Sequence, residues 1–129
     1  MKRLTRAARG GATPRPAAKA FGAFKDNALL ELESAVLQRK LEPDPSSYTS
    51  KLVGSPKRIR KKLVEEVVEL ITATRRTGVI WEAADLLYFT VVYLVNRGVG
   101  VGEVMGELLR RRAGEKGGKD GQRYAPLRD

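Results

Sequence analysis

Between residues 26 and 112 apolar positions recur at intervals of three and four, and clusters of turn residues divide the stretch into segments. That spacing lays an apolar stripe along a helix of 3.6 residues per turn. Leu29, Leu30, Leu32, Val36 and Leu37 mark a first helix over roughly Asp26 to Arg39. The run Glu42-Pro43-Asp44-Pro45-Ser46-Ser47 ends it, because proline disfavours helix at its own position and at the one before. A short segment from Tyr48 to Val53 follows. Ser55-Pro56 reads as the start of a second long helix, with an N-cap hydroxyl and proline at the first helical position. This helix is expected to end near Gly78, with Arg75 and Arg76 at the negative end of its dipole. A third helix spans about Ile80 to Arg97 and is closed by Gly98. A fourth covers Val101 to Arg112, weakened by Gly102 and Gly106 at about 1 kcal/mol each if they lie mid-helix.

No stretch alternates with strand period at useful length. Val91 to Val95 alone suits a buried strand, but the run around it is too long and holds no turn signal. The expected fold is therefore all-α: a compact antiparallel bundle of four main helices. A core this small is expected to be completed by dimerisation. The apolar run from Ala83 to Val95 falls short of the about 20 residues that span a bilayer and carries Asp85, so no membrane is expected as a partner.

The polar positions raise the first chemical question. On the second helix Leu63, Val64, Val67, Val68, Leu70 and Ile71 form a broad apolar arc, and Glu65, Glu66 and Glu69 share the opposite one. Acids on the outer face of an amphipathic helix are ordinary. The third helix is different. It is apolar all round and should be buried on most sides, yet it carries Glu82 and Asp85 three residues apart on one side. Burying two like charges together is costly unless cations, exposure at the helix start or a bound metal relieves it. The short link around Thr77-Gly78-Val79 makes the two helices antiparallel neighbours. Glu66 and Glu69 on one helix and Glu82 and Asp85 on the other then offer four carboxylates to a shared space. That set suits an octahedral Mg²⁺ that keeps part of its water. The joint pattern, Glu-Glu-x-x-Glu, twelve residues, then Glu-x-x-Asp, is more specific than either half.

Composition narrows the chemistry further. The 129 residues include no cysteine and no histidine, which excludes disulfides, zinc sites built on those residues and Cys- or His-based catalysis. A metal must be held by oxygen, which points to Mg²⁺, with Mn²⁺ as the alternative, or Ca²⁺. Lys and Arg number 25 against 15 acids, a net charge of +10 that favours polyanionic partners. Residues 1–25 contain no acid and read as a basic arm. Pro14, Pro16, Gly10 and Gly11 argue against a stable helix there. An organelle transit segment is the other reading of that arm, although its hydroxyl residues are few. Residues 114–129 read as a basic tail, leaving 26–113 as the folded domain.

With these motifs in place, the chain resembles the all-α nucleotide pyrophosphohydrolases, the MazG-like superfamily, whose mark is this paired acidic pattern. Within it the chain is most similar to the phosphoribosyl-ATP diphosphatase family. The closer likeness lies in Ser47-Tyr48-Thr49-Ser50-Lys51-Leu52, in the stretches from Lys62 to Leu70 and Trp81 to Phe89, and in Arg97-Gly98-Val99 followed by Leu108 to Arg112. It covers roughly residues 27–119.

The resemblance implies Mg²⁺-dependent hydrolysis of phosphoribosyl-ATP to phosphoribosyl-AMP and pyrophosphate, a step of histidine biosynthesis, by a cytoplasmic homodimer. By the same resemblance Glu66, Glu69, Glu82 and Asp85 match the metal ligands, and Glu65 is a candidate either to support those ligands from behind or to orient the attacking water. Lys62 is a candidate to reach a substrate phosphate; its plainer reading is an ion pair with Glu66. Tyr48, Thr49 and Lys51 are expected to line the substrate site, or else to pack the helix ends. Arg110, Arg111, Arg112, Lys116 and Lys119 are candidate phosphate partners, Arg112 and Lys116 foremost; three successive arginines cannot all face one site. The bifunctional relatives carry a cyclohydrolase that needs Cys and His ligands, so a monofunctional enzyme is expected. The glycines of the fourth helix and the basic arm depart from the family pattern. Two rival readings are a house-cleaning (d)NTP pyrophosphohydrolase and a basic helical nucleic-acid-binding protein. The second is disfavoured by few aromatics and no recognisable binding motif.

Overall fold

A computed structural model describes residues 27 to 114, and they form five helices: α1 (Ala28–Leu41), α2 (Tyr48–Val53), α3 (Pro56–Thr72), α4 (Arg76–Arg97) and α5 (Val101–Arg112). There is no strand among the described residues. The arm at 1–25 and the tail beyond Gly114 lie outside them.

Each boundary has a local cause. Asn27 caps α1 by accepting from the Leu30 amide at 3.3 Å. Before Pro43 the chain leaves the helix at Glu42, and Asp44 gathers the turn by accepting from the Ser46 amide and hydroxyl at 2.9 and 2.7 Å. Those two bonds, the hydroxyl's first and then the amide's, hold the Asp44 carboxyl below its ordinary range. Ser47 caps α2 through the Ser50 amide at 3.2 Å. Pro56 opens α3 as expected, but the Ser55 hydroxyl makes no capping hydrogen bond. Gly98, at φ 72°, ends α4 in the left-handed conformation that a side chain would strain. The C-terminal carbonyls of α4 are further satisfied by the Lys40 ammonium, which donates to the Val95 oxygen at 3.0 Å. Glu33 reaches from α1 to accept from the Val101 amide at 2.6 Å, fixing the start of α5.

Two expectations change here. The second long helix stops at Thr72, not near Gly78, and α4 begins at Arg76, before Ile80. The break is set by Ala73, which adopts extended backbone, and Thr72 turns its hydroxyl back onto the Val68 carbonyl at 2.7 Å. Gly78 has no positive φ and lies in the first turn of α4, where a Cβ would only meet Ala73 at ordinary contact distance. Arg75 and Arg76 consequently stand at the start of α4, the positive end of a dipole, and not at the negative end of α3.

α3 and α4 form the principal pair, antiparallel across the link at 73–75; α1 packs on α4, α2 bridges α1, α3 and α4, and α5 rests on α1. The hydrocarbon core joins Val36 of α1, Leu52 and Val53 of α2, Ile59 of α3, Val101 of α5, and Phe89, Val91, Val92 and Val95 from the C-terminal half of α4. Asn96 ties this end together by donating to the Val53 carbonyl at 2.7 Å.

The faces of α3 and α4 are the third departure. Val64, Val68 and Ile71 are 66%, 52% and 74% exposed. Val79, Ile80 and Leu87 also stand open, so α4 is not buried all round within one chain. By length and hydropathy α4 is the one described helix able to cross a membrane, but it carries two buried acids and packs against three other helices.

Candidate metal and phosphate site

The half of the α3–α4 pair without hydrocarbon core is filled by acids. Glu66 of α3 and Glu82 of α4 have no exposure at all, and Asp85 has 8%. α4 brings Glu82 and Asp85 onto one side by their i,i+3 spacing, and the antiparallel crossing sets Glu66 against them. One carboxylate oxygen from each of the three lies within 4.8 Å of the others. Each of the three acids also makes an interaction within the protein. Three formal negative charges this close in the interior are costly unless a cation offsets them. The donor set is oxygen only, which fits a hard divalent ion. A Mg²⁺ ion that retains several waters needs few protein ligands. By these criteria the residues fit the expected metal, with Glu66, Glu82 and Asp85 as the group that would hold it.

Of the four carboxylates expected together, the structure thus gathers three. Glu69, one turn beyond Glu66, is half-buried and stands outside the group. Glu65 points elsewhere. It lines a cleft of about 240 Å³ between α2 and the first turns of α3, together with Tyr48, Leu52, Arg58, Lys61 and Lys62. Lys62 pairs with Glu65 at 3.4 Å, not with Glu66 as the plainer sequence reading had it, because Glu66 turns inward. The Lys62 ammonium also lies 5.9 Å from the centroid of the Phe89 ring, a cation–π distance that holds it over the core's edge.

Thr49 reaches α4: its hydroxyl shares a 2.6 Å hydrogen bond with the Tyr88 phenol. Sequence reading overlooked Tyr88, although its place one turn after Asp85 put it on the acid-bearing side. Burial pushes the Tyr88 hydroxyl above its usual range, and the bond to Thr49 opposes that. Lys51 is exposed and does not line the cleft. Arg112 ends α5 in solvent, and α5 packs on α1, so the structure brings it to neither the acids nor the cleft. Arg110 and Arg111 both pair with Glu107, the latter at 2.9 Å. Arg111, followed by Arg110, holds the Glu107 carboxyl below its ordinary range. Lys116 and Lys119 lie outside the described residues.

The family model described as phosphoribosyl-ATP pyrophosphohydrolase matches residues 29–112. The chain is 43% identical over 90 residues to the phosphoribosyl-ATP pyrophosphatase of Rhizobium rhizogenes, covering 66% of this chain and 86% of that protein. It is 41% identical over 87 residues to that of Methylobacterium nodulans, covering 64% and 81%. The histidine biosynthesis bifunctional protein HisIE of Pyrococcus furiosus is 46% identical over 85 residues, 65% of this chain and 41% of that protein. The chain therefore spans about two fifths of the length of that bifunctional relative.

Proposed function

The chain belongs to the phosphoribosyl-ATP pyrophosphohydrolase family, and on that premise we propose that it hydrolyses phosphoribosyl-ATP to phosphoribosyl-AMP and pyrophosphate, in histidine biosynthesis. The observation that supports this most is the convergence of buried Glu66, Glu82 and Asp85 from two helices. Bound there, Mg²⁺ or Mn²⁺ supplies neutralisation of phosphate charge, polarisation of the phosphoryl group and acidification of water. The chain's own residues do the rest. Lys62, anchored by Glu65 and the Phe89 ring, meets a phosphate oxygen beside the acids. Glu65 accepts a hydrogen bond from the attacking water and orients it. Tyr48 walls the cleft, and Thr49, fixed to Tyr88, sets the position of α2 against α4. No role is assigned to Arg112, which stands away from the acids and the cleft.

The test is pyrophosphate release from phosphoribosyl-ATP, with Mg²⁺ and with EDTA, beside a panel of dNTPs. Mg²⁺-dependent release from phosphoribosyl-ATP with weak dNTP turnover is expected. Strong dNTP turnover without it would reassign the enzyme to nucleotide house-cleaning. No hydrolysis, with salt-sensitive binding of nucleic acid, would leave the acids structural.

The proposal includes a homodimer. Val64, Val67, Val68 and Ile71 repeat at i, i+3, i+4 and i+7 along α3, and Ile80 and Leu87 repeat at i and i+7 along α4. Full burial of one such side chain is worth about 1.5–3 kcal/mol. A second copy presenting the same stripes would cover them through a two-fold contact.

A further inference from the structure

The cleft between α2 and the first two turns of α3 has more positive charge than the roles above use. It holds three cations and one acid, and the acid, Glu65, is taken by Lys62. Arg58 and Lys61 make no ion pair among the described residues and are both exposed. They are three apart, so they stand on one side of α3, and Lys62 is four beyond Arg58. Helix rise sets the scale: Lys62 is about 6 Å along the axis from Glu66, and Arg58 about 12 Å. Along the α3 axis the lining of the cleft therefore runs from Glu65, the residue before buried Glu66, to Arg58 two turns back. Positive charge also accumulates at the far end because it is the N-terminal turn of α3.

Resting on the proposed reaction, we propose that Arg58 and Lys61 form a subsite for a phosphate group of the substrate other than the one being attacked. A substrate cleaved at the acids extends beyond them and carries anionic groups at both ends, the triphosphate tail and the phosphate of the phosphoribosyl group. The guanidinium of Arg58 presents parallel N–H donors that match two phosphate oxygens, and Lys61 adds a mobile point charge one turn on. Tyr48 and Leu52 close the opposite wall and limit how far an anion there can move. The subsite sets the direction in which the substrate lies, with remote binding used to position the reacting bond.

The experiment uses the full chain with saturating Mg²⁺ and an R58Q/K61Q double variant. An R60Q/R97Q variant, which removes the same charge from exposed positions outside the cleft, is the control. Steady-state kinetics on phosphoribosyl-ATP are measured with inorganic pyrophosphate and ribose 5-phosphate as inhibitors, and calorimetric binding of each inhibitor is measured without turnover. The cleft variant is expected to raise KM about tenfold or more and to weaken one inhibitor comparably, while the control stays near wild type. Weakening of pyrophosphate assigns the subsite to the triphosphate end; weakening of ribose 5-phosphate assigns it to the phosphoribosyl end. Unchanged KM and unchanged affinity for both inhibitors would overturn the subsite, as would an equal loss in the control. If wild type fails to turn over phosphoribosyl-ATP, the reaction proposed above falls, and calorimetry alone then decides the cleft by the same criteria.

Discussion

Replacing Glu82 by Gln keeps the shape of a side chain with no exposure and removes one charge from the acid cluster. Two unit charges 4.8 Å apart repel by about 3.5 kcal/mol at an effective dielectric constant of 20. Glu82 has two such neighbours, Glu66 and Asp85, and the interaction that Glu82 itself makes, which Gln would weaken, offsets part of the relief. In EDTA the variant should therefore be as stable as wild type or more stable, by up to about 1–3 kcal/mol. For a domain of this size 1 kcal/mol shifts Tm by roughly 4–8 °C. With Mg²⁺ the order reverses. Wild type gains stability by mass action on the folded state, whereas the variant, short of one ligand, gains little. Affinity for the ion and turnover should each fall at least about 100-fold, the upper range for losing even an outer partner of a ligand. Thermal melts across a Mg²⁺ titration, with pyrophosphate release in parallel, read all of this. An E82Q protein much less stable than wild type in EDTA, with its Mg²⁺ midpoint and turnover intact, would refute the reasoning and make Glu82 a structural acid.

Other outcomes follow from the same geometry. Tyr88→Phe removes the 2.6 Å bond to Thr49 and should cost about 0.5–1.5 kcal/mol in denaturant melts. Because the folded-state pKa of Tyr88 is raised, its contribution is complete below the ordinary value of 10.0 and is lost as pH climbs through the folded value. The difference between wild type and Tyr88→Phe should therefore shrink above pH 10.0. Gly106→Ala should stabilise α5 by up to about 1 kcal/mol, since an added Cβ meets nothing within 4 Å and φ is not positive; a melt showing destabilisation would mean that something covers that face. Ile71→Lys, at a position 74% exposed in one chain, should leave monomer stability nearly unchanged yet lower the sedimentation mass if two copies meet on α3; an unaltered mass rules that face out.

Helix existence was legible in the sequence because each long helix carries its own start or stop. Ser55-Pro56 and Gly98 act through local geometry, a fixed φ at one end and a left-handed residue at the other. Gly78 misled because glycine marks an end only where a positive φ is required, and none is required there. The acids were legible as two pairs, since i,i+3 spacing fixes which side chains share a side. What α3 alone did not disclose is which of its faces turns inward. Amphipathic spacing separates Glu66 from Val64 and Ile71 without saying which meets α4, and in a single chain it is the acid. Glu69 and Lys62 show the limit of the same rule. A residue one turn from a buried acid shares its side of the helix but not its depth, and Glu69 stays at the margin while Lys62 turns to Glu65. The Thr49–Tyr88 bond joins residues 39 apart in the chain, beyond the reach of any local pattern.

The proposed reaction requires α3 and α4 to hold a hard cation between them. Anomalous diffraction from crystals of the protein grown with Mn²⁺ tests it most directly. A peak enclosed by Glu66, Glu82 and Asp85, at roughly 2.0–2.3 Å from their oxygens, is the predicted result. Density for the three side chains at full occupancy with no peak among them, under Mn²⁺ concentrations that support turnover, would contradict it.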